Sequence, residues 1–291
     1  MNLILYTVLI LVSLGGIAAM ILFLTARKFK VFEDPHIELV TETLPGANCG
    51  GCGFAGCRSL AEAIVKSEDS TGLFCPVGGN DVMKKVADLL GRKAQAKAPL
   101  VAVVRCSGSP NVRPRTNEYQ GAVSCALIHA MYIGDTDCPY GCLGCGDCVR
   151  ACNFDALHMD PETQLPVVDD ARCTACGACV KACPRNIIEL RIKSRHDRKI
   201  FVSCINKEKG GIAKKYCQVA CIGCGKCFKV CQFDAITIAD NLAYIDAKQC
   251  KMCRKCAPVC PTGAILEPNF PIRKTNGEST DMQAASSVLT S

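Results

Sequence analysis

The sequence predicts an α+β protein: one N-terminal transmembrane helix, a small helical domain, and two tandem modules organised around cysteines rather than a large apolar core. Three observations predict this. Residues 3–25 form an uncharged apolar run, 25 cysteines sit mostly two residues apart in a chain of 291, and one cysteine spacing recurs four times between residues 142 and 260.

The run LILYTVLILVSLGGIAAMILFLT, residues 3–25, carries no charged side chain. As a helix it is about 34 Å long at ~1.5 Å per residue, enough for a hydrocarbon core of ~30 Å. A cleaved signal peptide is the alternative, disfavoured by the missing basic n-region and the length of the run. Residues 1–27 therefore read as a single-pass anchor. Arg27, Lys28 and Lys30 follow it, and the positive-inside rule places everything beyond them in the cytoplasm.

So many cysteines in a secreted protein would suggest a disulfide scaffold. A disulfide needs two Cα atoms about 4.4–6.8 Å apart with matched side-chain directions, whereas tight runs suit several thiolates around one metal centre. The formal charge of +7 then misleads. Five four-iron centres with four thiolates each, at about −2 apiece, bring the chain to about −3. The excess Lys and Arg balance these centres, and no nucleic acid is needed to explain them.

Residues 33–91 read as an N-terminal cluster domain with the set Cys49-x₂-Cys52-x₄-Cys57-x₁₇-Cys75. Four thiolates complete the corners of a cubane, and the glycines among them allow close backbone approach. A Cys₄ zinc site is the alternative. Helical spacing follows at SLAEAIVKS, with Leu60, Ile64 and Ala61 inward, and at DVMKKVADLLG, which ends at Gly91. Residues 92–136 read as linker and insert.

The repeat is the strongest signal. Cys142, Cys145, Cys148 and Cys152 match Cys221, Cys224, Cys227 and Cys231; Cys173, Cys176, Cys179 and Cys183 match Cys250, Cys253, Cys256 and Cys260. Four runs of C-x₂-C-x₂-C-x₃-C make two bacterial-type 2[4Fe–4S] ferredoxin modules, residues 137–192 and 217–267, joined by a basic connector, 193–216. In such modules the fourth cysteine of each run serves the other cluster. The predicted sets are Cys142, Cys145, Cys148 with Cys183, and Cys173, Cys176, Cys179 with Cys152. In the second module they are Cys221, Cys224, Cys227 with Cys260, and Cys250, Cys253, Cys256 with Cys231. With the N-terminal set this makes five [4Fe–4S] clusters. Proline follows Cys183 and Cys260, while Asn153 and Gln232 stand at the corresponding positions of the first runs. The segments ALHMD and LPVVD, and AITIA and LAYID, read as two antiparallel pairs. Residues 268–291 read as an unstructured tail.

Five cysteines are left over: Cys106, Cys125, Cys138, Cys204 and Cys217. Cys138 and Cys217 each stand four residues before the first ligand of a module, and Cys106 and Cys204 each end an apolar, strand-like run. We expect Cys106–Cys138 and Cys204–Cys217 to lie close as reduced thiols beside their modules, with ligand exchange or a further metal site as the alternative. The stretch from Arg191 to Lys215 holds nine Lys or Arg, including Lys193, Arg195, Arg198 and Lys199. It reads as charge balance for nearby clusters or as a docking face for an acidic ferredoxin.

This order of anchor, N-terminal cluster domain and ferredoxin modules resembles the B subunit of the Rnf complexes, ion-translocating ferredoxin:NAD⁺ oxidoreductases of bacterial membranes. The resemblance covers residues 1 to about 267. It implies an electron-transfer subunit in the inner membrane, taking electrons from reduced ferredoxin and passing them to membrane and flavin-bearing subunits, coupled to Na⁺ or H⁺ movement. No G-x-G-x-x-G fingerprint follows a strand, so no NAD site is expected in this chain. His36, His129, His158 and His196 are scattered, and no catalytic residue is assigned. An iron–sulfur subunit of a hydrogenase or other oxidoreductase, and a membrane-tethered redox sensor, are the rival readings.

Overall fold

In the computed structural model, which describes residues 2–28, 34–67 and 72–272, the apolar run forms helix α1 (Asn2–Lys28), ending on Arg27 and Lys28. It is long and apolar enough to cross a membrane, and none of Leu5–Lys28 is buried against the rest of the protein. Such an apolar surface calls for a non-aqueous partner.

Three helices build the N-terminal domain. Helix α2 (Pro35–Thr43) starts on Asp34, whose carboxylate accepts the His36 backbone N–H at 2.9 Å, with Pro35 in the first turn where its missing N–H costs nothing. Helix α3 (Cys57–Lys66) starts where Asn48 Oδ1 accepts the Cys57 N–H at 2.8 Å. Helix α4 (Gly79–Leu89) stops before Gly91, at φ +64°, and the Arg92 N–H returns to the Ala87 carbonyl. Val40, Leu60, Ile64 and Val86 fill the space between the helices and are almost wholly excluded from water. Each stabilises the domain by about 1.5–3 kcal/mol. Helix α2 was not anticipated, although Asp34-Pro35 and the Ile37, Val40, Leu44 spacing announce it.

The first module begins earlier than expected. Strand β1 (Leu100–Val104) comes from the segment read as linker and insert, and pairs antiparallel with β4 (Ile188–Ile192). Within 92–136 there is also α5 (Cys125–Met131). Helix α6 (Asp147–Arg150) precedes the expected hairpin of β2 (Leu157–Met159) and β3 (Pro166–Val168), and α7 (Ala178–Ala182) completes the module.

The second module repeats the plan. Strand β5 (Phe201–Val202) and helix α8 (Gly210–Tyr216) both lie in the segment read as connector. Then come α9 (Lys226–Lys229), the hairpin of β6 (Ile236–Ala239) and β7 (Leu242–Ile245), and β8 (Ile265–Leu266), which pairs with β5. Residues 268–272, read as tail, also pack on the body. Asn269 donates to Asp170 at 2.9 Å, and Phe270 lies under the guanidinium groups of Arg198 and Arg254. The rest of that tail, 273–291, lies outside the described residues.

The modules meet along a polar seam. Arg105 reaches from the end of β1 to the Val202 and Cys204 carbonyls, and Arg191 donates to the Ile245 carbonyl. Both guanidinium groups lie over the Tyr244 ring. Lys199 is buried against Asp170 at 2.5 and 2.6 Å, and Lys193 bonds Asp197 at 3.2 Å. These contacts remove Arg191 and Lys199 from the basic stretch read as a docking face, while Lys207, Lys209, Lys214 and Lys215 stay exposed. Arg191 and Lys199 are internal ties between modules, and the Arg195 side chain lies outside the described residues.

Candidate cluster sites

Every cysteine loop in the two modules needs two positive-φ residues to wrap its thiols around one point. The first lies within the opening C-x₂-C, at Gly144 (+77°), Ala175 (+55°), Gly223 (+64°) and Met252 (+55°). The second lies before the third cysteine, at Gly146 (+75°), Gly177 (+79°), Gly225 (+77°) and Arg254 (+63°). Glycine adopts this conformation at no steric cost, whereas other L-residues strain to reach it. Three further positions are therefore strained to keep the same loop.

The loops bring together the crosswise sets. Cys152 lines one cavity with Cys173, Cys176 and Cys179, and Cys231 lines another with Cys250, Cys253 and Cys256. A third cavity is lined by Cys142, Cys148 and Cys183, while Cys227 faces Cys221, Cys260 and Cys224. Cys145 sits in the same loop, between Cys142 and Cys148. In the N-terminal domain buried Cys75 faces Cys57 and Cys52, and Cys49 opens the same loop. Among the described residues no three metal-binding side chains converge tightly enough for a single ion. Tetrahedral zinc, bound at ~2.3 Å by each thiolate, requires such convergence.

Burial and mutual repulsion raise several of these thiols above the usual range. Burial pushes Cys179 and Cys256 up to about 12, and Cys227 and Cys148 up to about 11, with neighbouring thiols adding to each rise. Loading a cluster therefore releases protons and neutralises a repulsion built into the fold. Backbone N–H groups are already aimed at sulfur: Gly78 at Cys75 (3.3 Å), Ala156 at Cys152 (3.4 Å) and Ala102 at Cys173 (3.5 Å). Such bonds favour the thiolate and tune a bound cluster's potential.

Two placements were not legible in the sequence. Gly51, in the N-terminal loop, abuts the second cluster loop of module one: a Cβ there would lie 2.7 Å from the Cys176 carbonyl oxygen. Cys125, left over by the motifs, lies beside Cys145 and Cys148 and adds to the rise of both thiols. The other four spare cysteines lie along the seam. Cys138 and Cys217 are buried, and Cys106 and Cys204 are half-buried. Cys204 packs against the apolar cluster that contains Cys217, and thiols of the two modules also meet, because Cys217 faces Cys106 and Cys138 while Cys204 faces Cys106.

A helix able to span a membrane, joined to cysteine sets shaped for cubanes, defines an iron–sulfur protein of the membrane-associated kind. Family models agree: a 4Fe-4S dicluster domain matches residues 141–187 and 220–264, and a putative Fe-S cluster domain matches 44–76. The chain is 40% identical over 259 residues to the B subunit of the ion-translocating oxidoreductase complex of Methanosarcina acetivorans, covering 89% of this chain and 96% of that protein. It is 42% identical over 265 residues to the B subunit of the Na⁺-translocating ferredoxin:NAD⁺ oxidoreductase complex of Acetobacterium woodii, covering 91% and 78%. It is 39% identical over 267 residues to the B subunit of the proton-translocating ferredoxin:NAD⁺ oxidoreductase complex of Clostridium ljungdahlii, covering 91% and 93%. The chain belongs to this family of B subunits of Rnf-type, ion-translocating oxidoreductase complexes.

Proposed function

We propose that the chain is the electron-relay subunit of an Rnf-type ferredoxin:NAD⁺ oxidoreductase, anchored by α1 with its body in the cytoplasm. Five [4Fe–4S] clusters are held by the crosswise sets above and by Cys49, Cys52, Cys57 and Cys75. Electrons from reduced ferredoxin enter the modules, leave through the N-terminal domain to membrane and flavin-bearing subunits, and drive Na⁺ or H⁺ movement there. The observation that carries this reading is the contact of Gly51 with Cys176. It seats the domain nearest the membrane helix directly against a ferredoxin-type loop.

Entry is best placed on module two. Among all the cysteines only Cys224 and Cys253 are exposed, and exposed Lys226, Lys229, Lys251 and Lys255 stand close to them in sequence. Exposed Phe228 and Phe233 add apolar surface. A basic rim around exposed ligands suits an acidic electron carrier, whose approach it accelerates at low salt. The test is stopped-flow reduction of the purified holoprotein by reduced ferredoxin. Rapid reduction is expected, slowed about tenfold at low ionic strength when the four lysines become Gln, with little effect at high salt. Failure of ferredoxin to reduce the protein overturns the function; an unchanged rate in the variant overturns the entry point alone.

A further inference from the structure

We propose that Arg191, a residue of module one, serves module two: its buried charge favours the reduced state of the cluster held by Cys231, Cys250, Cys253 and Cys256. The proposal rests on the reading of that motif set as cluster ligands. It adds a residue outside every cysteine motif and outside the module on which it acts.

Strand alternation puts the side chain there. In β4, Ile188 and Leu190 pack into the core of module one, so Glu189 and Arg191 point the opposite way. Through the pairing of β1 with β4, Val101 and Val103 lie opposite Arg191 and Glu189 on that same outer face. A face turned away from its own core is ordinarily solvated, yet Val101, Val103 and Arg191 are only 0%, 3% and 4% exposed. Module two covers it. Arg191 donates to the carbonyl of Ile245, at the end of β7, and lies 5.5 Å from the Tyr244 ring centroid and 5.9 Å from that of Phe201. Ile245 lines the same cavity as Cys231, Cys250, Cys253 and Cys256. The next residue, Asp246, accepts the Cys250 N–H at 2.9 Å with its carbonyl. The guanidinium of one module is thus bonded to the wall of a cluster cavity in the other.

Its ion-pair partner does not cancel the charge. Glu189 pairs with Arg191 at 3.1 Å and with Arg105 at 3.3 Å, so two guanidinium groups share one carboxylate and the trio carries a net +1. Both arginines are buried, and salt screens such a charge far less than a surface one. The Cys250 thiol registers it: burial raises that group, and Arg191 opposes the rise. One added electron makes a thiolate-bound cluster more negative by one unit, so a fixed cation beside it favours reduction, with no proton or ligand moved. The device is one-sided. Arg191 stands eight residues after Cys183, and eight residues after Cys260 stands the uncharged Pro268. Cys253 opens the same set to solvent, so the cluster that Arg191 favours lies between the surface and the seam.

The test is EPR-monitored reductive titration, with iron counts, of the full-length holoprotein purified anaerobically. Cys250→Ala/Cys253→Ala identifies the signal of this cluster by removing it. Arg191→Met takes the trio from +1 to 0. It should make that one cluster about tenfold harder to reduce, a fall of about 59 mV for one electron, at an unchanged iron count. Glu189→Gln takes the trio to +2 and should move the same signal the opposite way, a reversal that a merely structural role does not produce. Arg191→Lys keeps the charge and should stay near the unmodified value. An unmoved potential in Arg191→Met, no opposite shift in Glu189→Gln, or an equal shift of every cluster overturns the proposal and leaves the motif sets standing. A Cys250→Ala/Cys253→Ala protein that keeps all its iron and every signal sinks the reading of that set instead. Should Arg191→Met fail to fold, the near-isosteric Glu189→Gln decides alone.

Discussion

The two ferredoxin modules carry the same cysteine spacing, the same hairpin and the same paired spare cysteines, yet their surroundings differ. Module one has every ligand buried or half-buried, and the N-terminal domain presses on it through Gly51. Module two exposes Cys224 and Cys253 among lysines. On the proposed function a repeated scaffold would acquire direction from its neighbours, with the enclosed copy conducting and the open copy receiving. The ligand chemistry is common to both. Position makes the difference.

The largest test of this comparison concerns the tie between the modules. Lys199 and Asp170 form a mostly buried ion pair, with side chains 8% and 15% exposed. Removing one partner leaves the other charge uncompensated, at a cost of about 3 kcal/mol. Lys199→Met should lower the denaturation midpoint of the holoprotein accordingly, while ferredoxin reduces the remaining folded protein at the normal rate. A stable Lys199→Met protein with slowed reduction would instead return Lys199 to the docking face and undo the division of roles. Adding Asp170→Leu should recover much of the loss, because the stranded carboxylate is then gone.

Next in size is the seat of the N-terminal domain on module one. Gly51 has no room for a side chain, since a Cβ would meet the backbone of Cys176, which cannot rotate away. Overpacking of this kind costs roughly 1–3 kcal/mol. Gly51→Val should shift the docked arrangement toward the undocked by one to two orders of magnitude. In freeze-quench EPR, the module clusters of the variant should reduce on time and the N-terminal cluster late. Simultaneous reduction at the native rate would show that this contact is not the outlet.

What the sequence revealed, and what it hid, follows from the range of each signal. Cysteine runs are local, with neighbouring cysteines three to five residues apart, and so are the hairpins, while the distant fourth ligand of each module set came from the two-cluster pattern. The β6–β7 turn is made by Asp240 and Asn241 at φ +49° and +59°, residue types that adopt such angles readily. Helices α3 and α4 were readable from apolar spacing alone. The β1–β4 pairing was hidden because it joins Leu100 to Ile192 across a whole module, with nothing in either segment naming its partner. Charge in the Arg191–Lys215 stretch was visible, but burial was not, and Asp170 lies well outside that window. For the spare cysteines the sequence showed two equivalent pairs. Only the packing of one module on the other shows that the pairs meet.

The smallest test asks how far the modules are equivalent within a single loop. Arg254 occupies, at φ +63°, the place that Gly177 fills in module one at +79°. Its guanidinium pairs with Glu267 through two bonds, at 3.0 and 2.5 Å, and lies 4.8 Å from the Phe270 ring centroid. An arginine at this strained position trades backbone comfort for a clasp on residues 267–270. Arg254→Ala and Arg254→Gly both lose the clasp, but only Gly relieves the left-handed strain, by about 1 kcal/mol. The Gly variant should therefore be the more stable of the two by about that amount, read as the denaturant midpoint for loss of cluster absorbance. Module one should show the same order: Gly177→Ala should cost about 1 kcal/mol, because it introduces the strain with no clasp in return. Equal stabilities for Arg254→Ala and Arg254→Gly would mean that the loop of module two relaxes where that of module one cannot, and the two cluster loops would no longer be conformational equivalents.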